Sequence, residues 1–588
     1  MRRLRYLVRR FFVVARTTGL RTAIHQAKDF ISQRVSWRRE SSHRHPSEDP
    51  PTLRSGDIRI SILVPVYNTP SGILEEAISS VIDQTYPNWE LCICDDCSDS
   101  LETVRVLEKY RGIDPRIKIV RSPKNLHIAG ATNLAAEFAT GHFVAFLDHD
   151  DTLDCNALRF VVQAIEANEG VDVLYTDEDK IEPDGRYSEP YLKPDWSPEH
   201  LLSVMYILHF TVIRKSLFLE LGGLRDAYTG AQDYDLALRA TARARRVVHI
   251  PQVLYHWRKI PGSAAAVVDA KPVALINAKR AVADFVQNQE PGAQVVDGLF
   301  PGSYRVKWPV DASRPVTLLM LTDSRMRDVE GRGNILLVEH SVMSILSRST
   351  FRNFKIIVLD NGRLPADVHE RFTEAGVTVA QYHFQGEFNF PDKMNHAFNL
   401  VTTEDVIILN DDIEVISPDW IEALLSFSRR QDVGAVGAQL LYPNNRLQHA
   451  GVVMGVNGLT THLFHNQPAS EIGYCGYTHL VRNYSAVTGA VLATRMSLVR
   501  EVEMFKRELR VDYNDIDFCL RLGAAGYRIV YTPYASLYHF EGSSLARRAV
   551  DEADRSHFLS HWQTSVNADP YYNPRLPKDR TDCAVLSW

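Results

Sequence analysis

The sequence predicts an α/β protein made of two copies of one mostly parallel-sheet domain. Three observations carry that expectation. Apolar, Ile/Val-rich runs alternate with helical stretches, as βαβ units require. Several of those runs end in carboxylates, where an open parallel sheet places its ligand crevice. The pattern then occurs a second time at nearly constant offsets. Asp95 precedes Asp360 by 265 residues, Asn133 precedes Asn395 by 262 and Asp150 precedes Asp412 by 262. Asp233 precedes Asp515 by 282 and His256 precedes His539 by 283, so the second copy gains about 20 residues between Asp412 and Asp515.

The elements follow in order. Residues 1–57 read as a basic amphipathic segment and a linker. On a helix over residues 4–16, Leu4, Leu7, Val8, Phe11 and Phe12 share one face, and Arg2, Arg5, Arg9, Arg10 and Arg16 the other. That pattern suits an anionic membrane surface, engaged through residues 1–40. Arg9 and Arg10 interrupt the apolar run that a secretory signal needs. The first domain, 58–285, opens on the strand Ile58–Val66, then a helix Ile73–Gln84, a strand Glu90–Cys94 running into Asp95-Asp96, a helix near Ala129–Ala139 and a strand His142–Leu147 running into Asp148-His149-Asp150-Asp151. Residues 286–315, rich in Pro and Gly, read as a linker. The second domain, 316–550, repeats the series: Val316–Leu321, Lys355–Leu359 ending in Asp360-Asn361, and Asp405–Leu409 ending in Asn410-Asp411-Asp412. Residues 551–588 read as a polar extension.

Composition narrows the function. With 588 residues, 45% hydrophobic and 23% charged, the chain is neither disordered nor fibrous. No apolar run approaches the ~18 residues of a membrane span. Seven cysteines make no disulfide scaffold and fit a reducing compartment. Residues 1–46 hold 12 Lys and Arg against Asp29 and Glu40, leaving 54 basic and 70 acidic residues for the remainder. A body that acidic argues against nucleic acid as a partner.

The carboxylates suggest chemistry. Asp148 and Asp150, one residue apart after a strand, can converge on a hard cation such as Mg²⁺ or Mn²⁺, which also ligates phosphates. Asp95 ends a neighbouring strand and can accept from a base or a ribose hydroxyl. Asp233, just before an amphipathic helix, is either a helix cap or a general base. His256 is either a third metal ligand or a core histidine. Cys92, Cys94 and Cys97 lack a matching pair for zinc. No G-x-G-x-x-G follows the first strand, which disfavours a dinucleotide oxidoreductase.

Taken in order, Pro65-Val66-Tyr67-Asn68, Asp95-Asp96, Gly130 with Asn133, Phe146-Leu147-Asp148-His149-Asp150-Asp151 and Gln232-Asp233 resemble the inverting family-2 glycosyltransferases. In the second copy Asp392-Lys393-Met394-Asn395, Leu409-Asn410-Asp411-Asp412, Val487-Thr488-Gly489-Ala490, Tyr513-Asn514-Asp515 and Tyr538-His539 resemble the same family. Tyr175-Thr176-Asp177-Glu178-Asp179-Lys180 and Lys193-Pro194-Asp195-Trp196-Ser197-Pro198 are similar to bacterial tandem-domain enzymes of O-antigen and capsule assembly. The resemblance implies two tandem GT-A domains behind the N-terminal amphipathic helical segment, a nucleotide-sugar donor, a divalent cation, and a glycan or lipid-linked glycan acceptor. It implies a cytoplasmic enzyme, peripheral at the inner face of the cytoplasmic membrane. By that match Asp233 and Asp515 are the bases. Pro65, Tyr67, Asn68, Asp95, Asp96, Asn133, Asp148, Asp360, Asn395 and Asn410 surround the donor. Asp148, Asp150 and His256, and in the second copy Asp412 and His539, hold the metal. Two departures stand out. Asn410 replaces the first aspartate of the metal pair, and the first strand of copy two ends in Leu321-Thr322-Asp323-Ser324, without the usual Pro-x-x-Asn. Both copies catalysing, and one catalysing while the other grips a glycan or partner, are the two readings that result.

Overall fold

The computed structural model describes residues 58–260, 272–384, 386–540 and 550–585. The basic amphipathic segment, residues 1–57, lies outside them. The first sheet has nine strands: β1 Ile60–Val66, β2 Trp89–Asp95, β3 Ile117–Arg121, β4 Phe143–Phe146, β5 Thr152–Leu153, β6 Val173–Ile181, β7 Tyr187–Tyr191, β8 Val212–Arg214 and β9 Val247–Arg258. Their order is β3-β2-β1-β4-β8-β6-β9-β5, with β7 beside β6. A hairpin follows, β10 Gln294–Asp297 and β11 Tyr304–Lys307. The second half opens on β12 Val316–Leu321, a hairpin of β13 Met326–Val329 and β14 Gly333–Leu336, then β15 Phe354–Asp360, β16 Thr378–Gln381, β17 Asp405–Leu409 and β18 Ile413–Val415. It continues with β19 Val433–Leu441, β20 Leu447–His449, the hairpin β21 Val452–Met454 and β22 Thr460–His462, then β23 Arg482–Tyr484, β24 Val491–Arg495 and β25 Arg528–His539. Its ten-stranded sheet runs β16-β15-β12-β17-β24-β19-β25-β18, with β20 beside β19 and β23 beside β25.

The two paths are the same walk, strand for strand. In each, the first strand pairs in parallel with its two neighbours, and the fourth meets an antiparallel strand. β1, ISILVPV, is buried along its whole length, as a strand covered by helices on both faces must be. Helix starts are fixed locally. Ser100 accepts the N–H of Thr103 ahead of the helix Leu101–Tyr110, and Asn389 accepts that of Asp392 ahead of Phe390–Phe398. The residues that lengthen the second half fall between β19 and β24, the stretch that holds β20–β23.

The halves share one core. A single apolar cluster runs from Tyr175, Tyr206 and Tyr234 through Val282 and Trp308 to Val316, Ile345, Trp420 and Leu537. The stretch expected as a linker is therefore packed structure. The helix Pro272–Gln289 buries Ala281, Val282 and Val286, and the Arg430 guanidinium stacks 4.0 Å over Trp308. The stretch expected as a polar extension likewise folds back. Its helix Glu552–Asn567 seats Phe558 and Val566 in the core, with Tyr572, Leu576 and Cys583 following. Polar contacts stitch the seam between halves. Ser197 donates to Asn483 (2.8 Å), Arg528 forks onto Glu199 (2.7 and 3.1 Å), and Asn573 donates to Asp177 (2.8 Å). Among the described residues no helix is long and apolar enough to cross a membrane.

Candidate active site

The carboxyl ends of β1 and β4 open onto a cleft. The helix Gln232–Arg243 closes it on one side and the loop Met205–His209 on another. Pro65, Asp148 and Asp233 line it, as expected, together with Thr132, His209 and Gln232. Such a crevice is where a doubly wound sheet binds ligands.

At the end of β4 the oxygens of Asp148, Asp150 and Asp151 lie within 4.8 Å of one another. Asp148 is half exposed to the cleft, and Asp150 less so. Burial raises the Asp150 carboxyl and Asp148 adds to it, while His149 and Arg258 pull it back. Asp151 is buried and braced by the Tyr255 hydroxyl (2.6 Å) and the Arg258 N–H (2.7 Å). An all-oxygen set at this spacing fits Mg²⁺ or Mn²⁺. The converging residues thus include Asp151 in the place expected of His256. The His256 Nδ1 instead meets Asp179 at 2.6 Å, and its ring packs 4.4 Å from Tyr187.

One cleft residue, His209, carried no sequence signal of its own. The His209 ring lies 4.0 Å from Asp148 and 3.5 Å from Glu178, stacked on Tyr255 at 4.4 Å. Burial opposes its charge, but Glu178, Asp148 and Asp151 overcome that and raise it to about 9. These carboxylates favour its protonated form. Lys193 is fully buried behind it and pairs with Glu178 at 2.9 Å. Burial would raise Glu178, yet Lys193 and His209 hold it at about 2. Both belong to stretches quoted above as motifs, but only the fold brings Glu178 and Lys193 to the back of the cleft.

Asp233 heads its helix and opens onto the cleft, its carboxylate accepting the N–H of Tyr234 (2.8 Å). The surrounding protein raises its pKa, and Asp148 reinforces this against Tyr234 and His209. A raised carboxylate is a stronger proton acceptor than an ordinary aspartate.

The remaining candidates brace the cleft's frame. Asp95 accepts the Ser98 N–H (2.9 Å) and Asp96 that of Leu126 (2.6 Å). Asn68, at φ 51°, accepts from the N–H groups of Asp99 and Ser100, and Tyr67 is exposed. The Asn133 and Asn395 side chains are engaged by backbone. Asn133 takes both hydrogen bonds of the Leu224 backbone (2.9 Å each), and Asn395 does the same to Phe505 (2.8 and 3.0 Å). The same amide–peptide clasp in both halves is a mark of their common fold.

In the second half, His539 Nε2 lies 3.1 Å from Asp412 and 3.1 Å from Asn410. Asp515 accepts the N–H groups of Gly489 (2.7 Å) and Ile516 (2.9 Å). Asp360 accepts those of Arg363 and Leu364 (2.7 and 3.1 Å). Lys393 donates to Asn361 (2.6 Å) and the Thr322 carbonyl (2.7 Å). Burial lowers its pKa to about 8 despite Asp360, Asp323 and Asp411.

Comparison with known proteins agrees with the duplicated topology. Residues 61–222 match the family described as Glycosyl transferase family 2, and residues 337–554 match Glycosyltransferase like family 2. The uncharacterized protein y4gI of Sinorhizobium fredii is 40% identical over 91% of this chain and 59% of its own length. The O-antigen biosynthesis protein RfbC of Myxococcus xanthus is 32% identical over 90% of this chain and 41% of its own. The chain thus spans about half the length of these curated relatives. A crystal structure of S. aureus TarS with UDP-GlcNAc aligns with 40% of this chain and 72% of that one, at 20% identity and a TM-score of 0.31. With each half matched in turn, the chain belongs to the family-2 glycosyltransferases, as a tandem of two such domains.

Proposed function

We propose that this chain is a two-site inverting glycosyltransferase that builds a cell-surface glycan. Each half would move a sugar from a nucleotide-sugar donor to a hydroxyl of a lipid-linked acceptor. The observation that carries the reading is the first cleft, which Asp233 and Asp148 line together, with Asp148 belonging to the Asp148–Asp150–Asp151 group. As the acceptor oxygen bonds to the anomeric carbon, Asp233 takes its proton. The bond from that carbon to the diphosphate oxygen breaks on the opposite face, and the nucleoside diphosphate leaves with the electron pair. The His209 cation beside Asp148 supplies positive charge at the leaving-group end. A Mg²⁺ or Mn²⁺ ion held by Asp148 and Asp150 would neutralise further diphosphate charge. In the second half Asp515 is the base, with Asp412, His539 and Asn410 at the diphosphate.

The relatedness to an O-antigen biosynthesis protein supports a polysaccharide product. Two sites in one chain favour two successive transfers on one acceptor, because tethering raises the local concentration of the first product. The second reading, one catalytic half and one glycan- or partner-binding half, is favoured by Asn410 and by the hydrogen bond that already engages Asp515. Residues 1–40 would hold the enzyme at the inner face of the cytoplasmic membrane. A truncation starting at Ser41 should lose co-sedimentation with anionic liposomes, and equal sedimentation would refute the anchor. For the enzyme itself, a panel of nucleotide sugars is incubated with the full chain and Mn²⁺, with and without excess EDTA. Donor turnover that EDTA abolishes is the expected result. Turnover unaffected by EDTA would remove the metal, and none with any donor would remove the function.

A further inference from the structure

We propose that Lys193 is a positioning residue of the first site, acting through the loop that carries His209. Lys193 is completely buried and stands in the loop after β7. Its ammonium donates to the Glu178 carboxylate (2.9 Å), to the Ile207 carbonyl (2.8 Å) and to the His209 carbonyl. Glu178 in turn accepts the His209 N–H (3.0 Å). The loop is therefore tied from behind at two carbonyls and one amide, by a single cation and its counter-ion. Its front lines the cleft, where the His209 ring stands 4.0 Å from Asp148.

Neither tie comes from local sequence. Glu178 sits in β6 and reaches the loop 31 residues later, and Lys193 reaches it across 14 and 16. A buried ammonium satisfied by one carboxylate and two carbonyls holds its partners tightly, because leaving any of them unpaired in that interior is costly. Asp233, by contrast, stands on its own helix and is not among the partners of the Lys193 ammonium. The positioning role thus falls on the diphosphate end of the site and not on the base.

The inference rests on the reading of the first cleft as a donor site, and the test separates the two. The full chain carries Asp515→Asn so that only the first site turns over. UDP·Mn²⁺ binding is measured by calorimetry and UDP-glucose hydrolysis by phosphate-coupled assay. Lys193→Met should raise the donor KM about tenfold and weaken UDP to a similar degree, with kcat within about threefold. A role in folding alone would lower the active fraction, hence kcat, and leave KM unchanged. The charge-neutral pair Lys193→Met with Glu178→Leu keeps the test open if the single variant fails to fold. It removes the buried charge problem but not the loss of the loop's ties, so it should show the same raised KM. His209→Ala should match it. A KM within twofold of the parent in the folded double variant, or in His209→Ala, overturns the proposal alone. A parent that neither binds UDP nor hydrolyses UDP-glucose overturns the donor-site reading for that nucleotide and the proposal with it.

Discussion

At the end of β4 the first half places Asp148, Asp150 and Asp151; at the end of β17 the second places Asn410, Asp412 and Ile413. The facing loop differs in step. Counting back from Arg214 and Arg495, which pair with Phe143 and Asp405 at the same register, Gly489 and Ala490 stand where the first half has Leu208 and His209. The first site is thus rich in acid and draws its cation from the loop. Of the three compared positions the second keeps one acid, Asp412, which it pairs with His539, and it presents a methyl from the loop. The consequences spread outward. Tyr255 bonds Asp151 in the first half, whereas Tyr538 bonds Asn445 (2.7 Å). Gly489, lacking a side chain, lets the Asp515 Cβ stand near 3.1 Å from where its own Cβ would be, and its N–H engages the carboxylate. Lys393 occupies the place of Ala131 and brings a buried cation to the second site. One sheet topology therefore supports two charge arrangements, and the two sites should differ in donor or metal requirement.

The largest effects come from deleting the bases. Asp233→Asn should lower transfer by the first site about 10³-fold, within the range for losing a general base, and stop synthesis at that step. Asp515→Asn should stop it at the other step, so that each variant accumulates a distinct product or unused acceptor. Mass spectrometry of the glycans reads both. Two mutants with the wild-type product distribution would make the sites redundant, and an inert Asp515→Asn would make the second half a binding module. A smaller effect is expected at position 410. Asn410→Asp restores a carboxylate beside Asp412 and should lower the Mn²⁺ concentration for half-maximal second-site activity several-fold. An unchanged Mn²⁺ requirement would mean that charge at this position does not distinguish the sites.

Much of this comparison was legible in the sequence. Constant offsets located both copies, and Pro65, Asp148 and Asp233 do line one cleft, because a strand end or a helix start fixes where such a residue points. Residues that act on backbone were harder to read. Asn133 and Asn395 look like ligand contacts, yet each clasps a peptide about 100 residues away. His209 had no local signal, and Lys193 stood in a motif that did not reveal its role, since their partners lie on other elements. Residues 286–315 and 551–588 read as connection and tail by their Pro, Gly and polar content. Their sparse apolar residues, Trp308 and Phe558 among them, proved enough to seat them in the core.

Acid should separate the halves more gently. Glu178 ionises at about 2 in the folded chain, below the ordinary value near 4.3 of an unfolded glutamate. Its contribution is complete above the unfolded value and disappears as pH falls towards 2, on the order of 3 kcal/mol in all. In the second half Leu441 pairs with Tyr538 where Glu178 pairs with Tyr255, so this term belongs to the first half alone. Denaturant unfolding between pH 5 and 3 should show a shallower loss in the Lys193→Met, Glu178→Leu double variant than in the wild type. Parallel curves would mean that Glu178 is not held ionised by its partners.

The smallest effect tests whether the two halves are separate bodies at all. The shared apolar cluster crosses from Tyr206 to Trp420 without a break, and cooperative units follow contiguous packing. A calorimetric scan should therefore give one transition for the two halves. Ser197→Ala probes the seam with minimal disturbance. It removes the hydroxyl that donates to Asn483 Oδ1 (2.8 Å) and accepts the Asn483 N–H (3.2 Å). Loss of neutral hydrogen bonds at a buried seam costs about 1–2 kcal/mol. Spread over a unit this large, that moves the midpoint by only about 1 °C. The shape of the transition is the more telling readout. A single peak that shifts slightly means that the seam is part of one folding unit. A peak that splits, with one component unmoved, would mean that each half folds alone and that the seam joins finished domains.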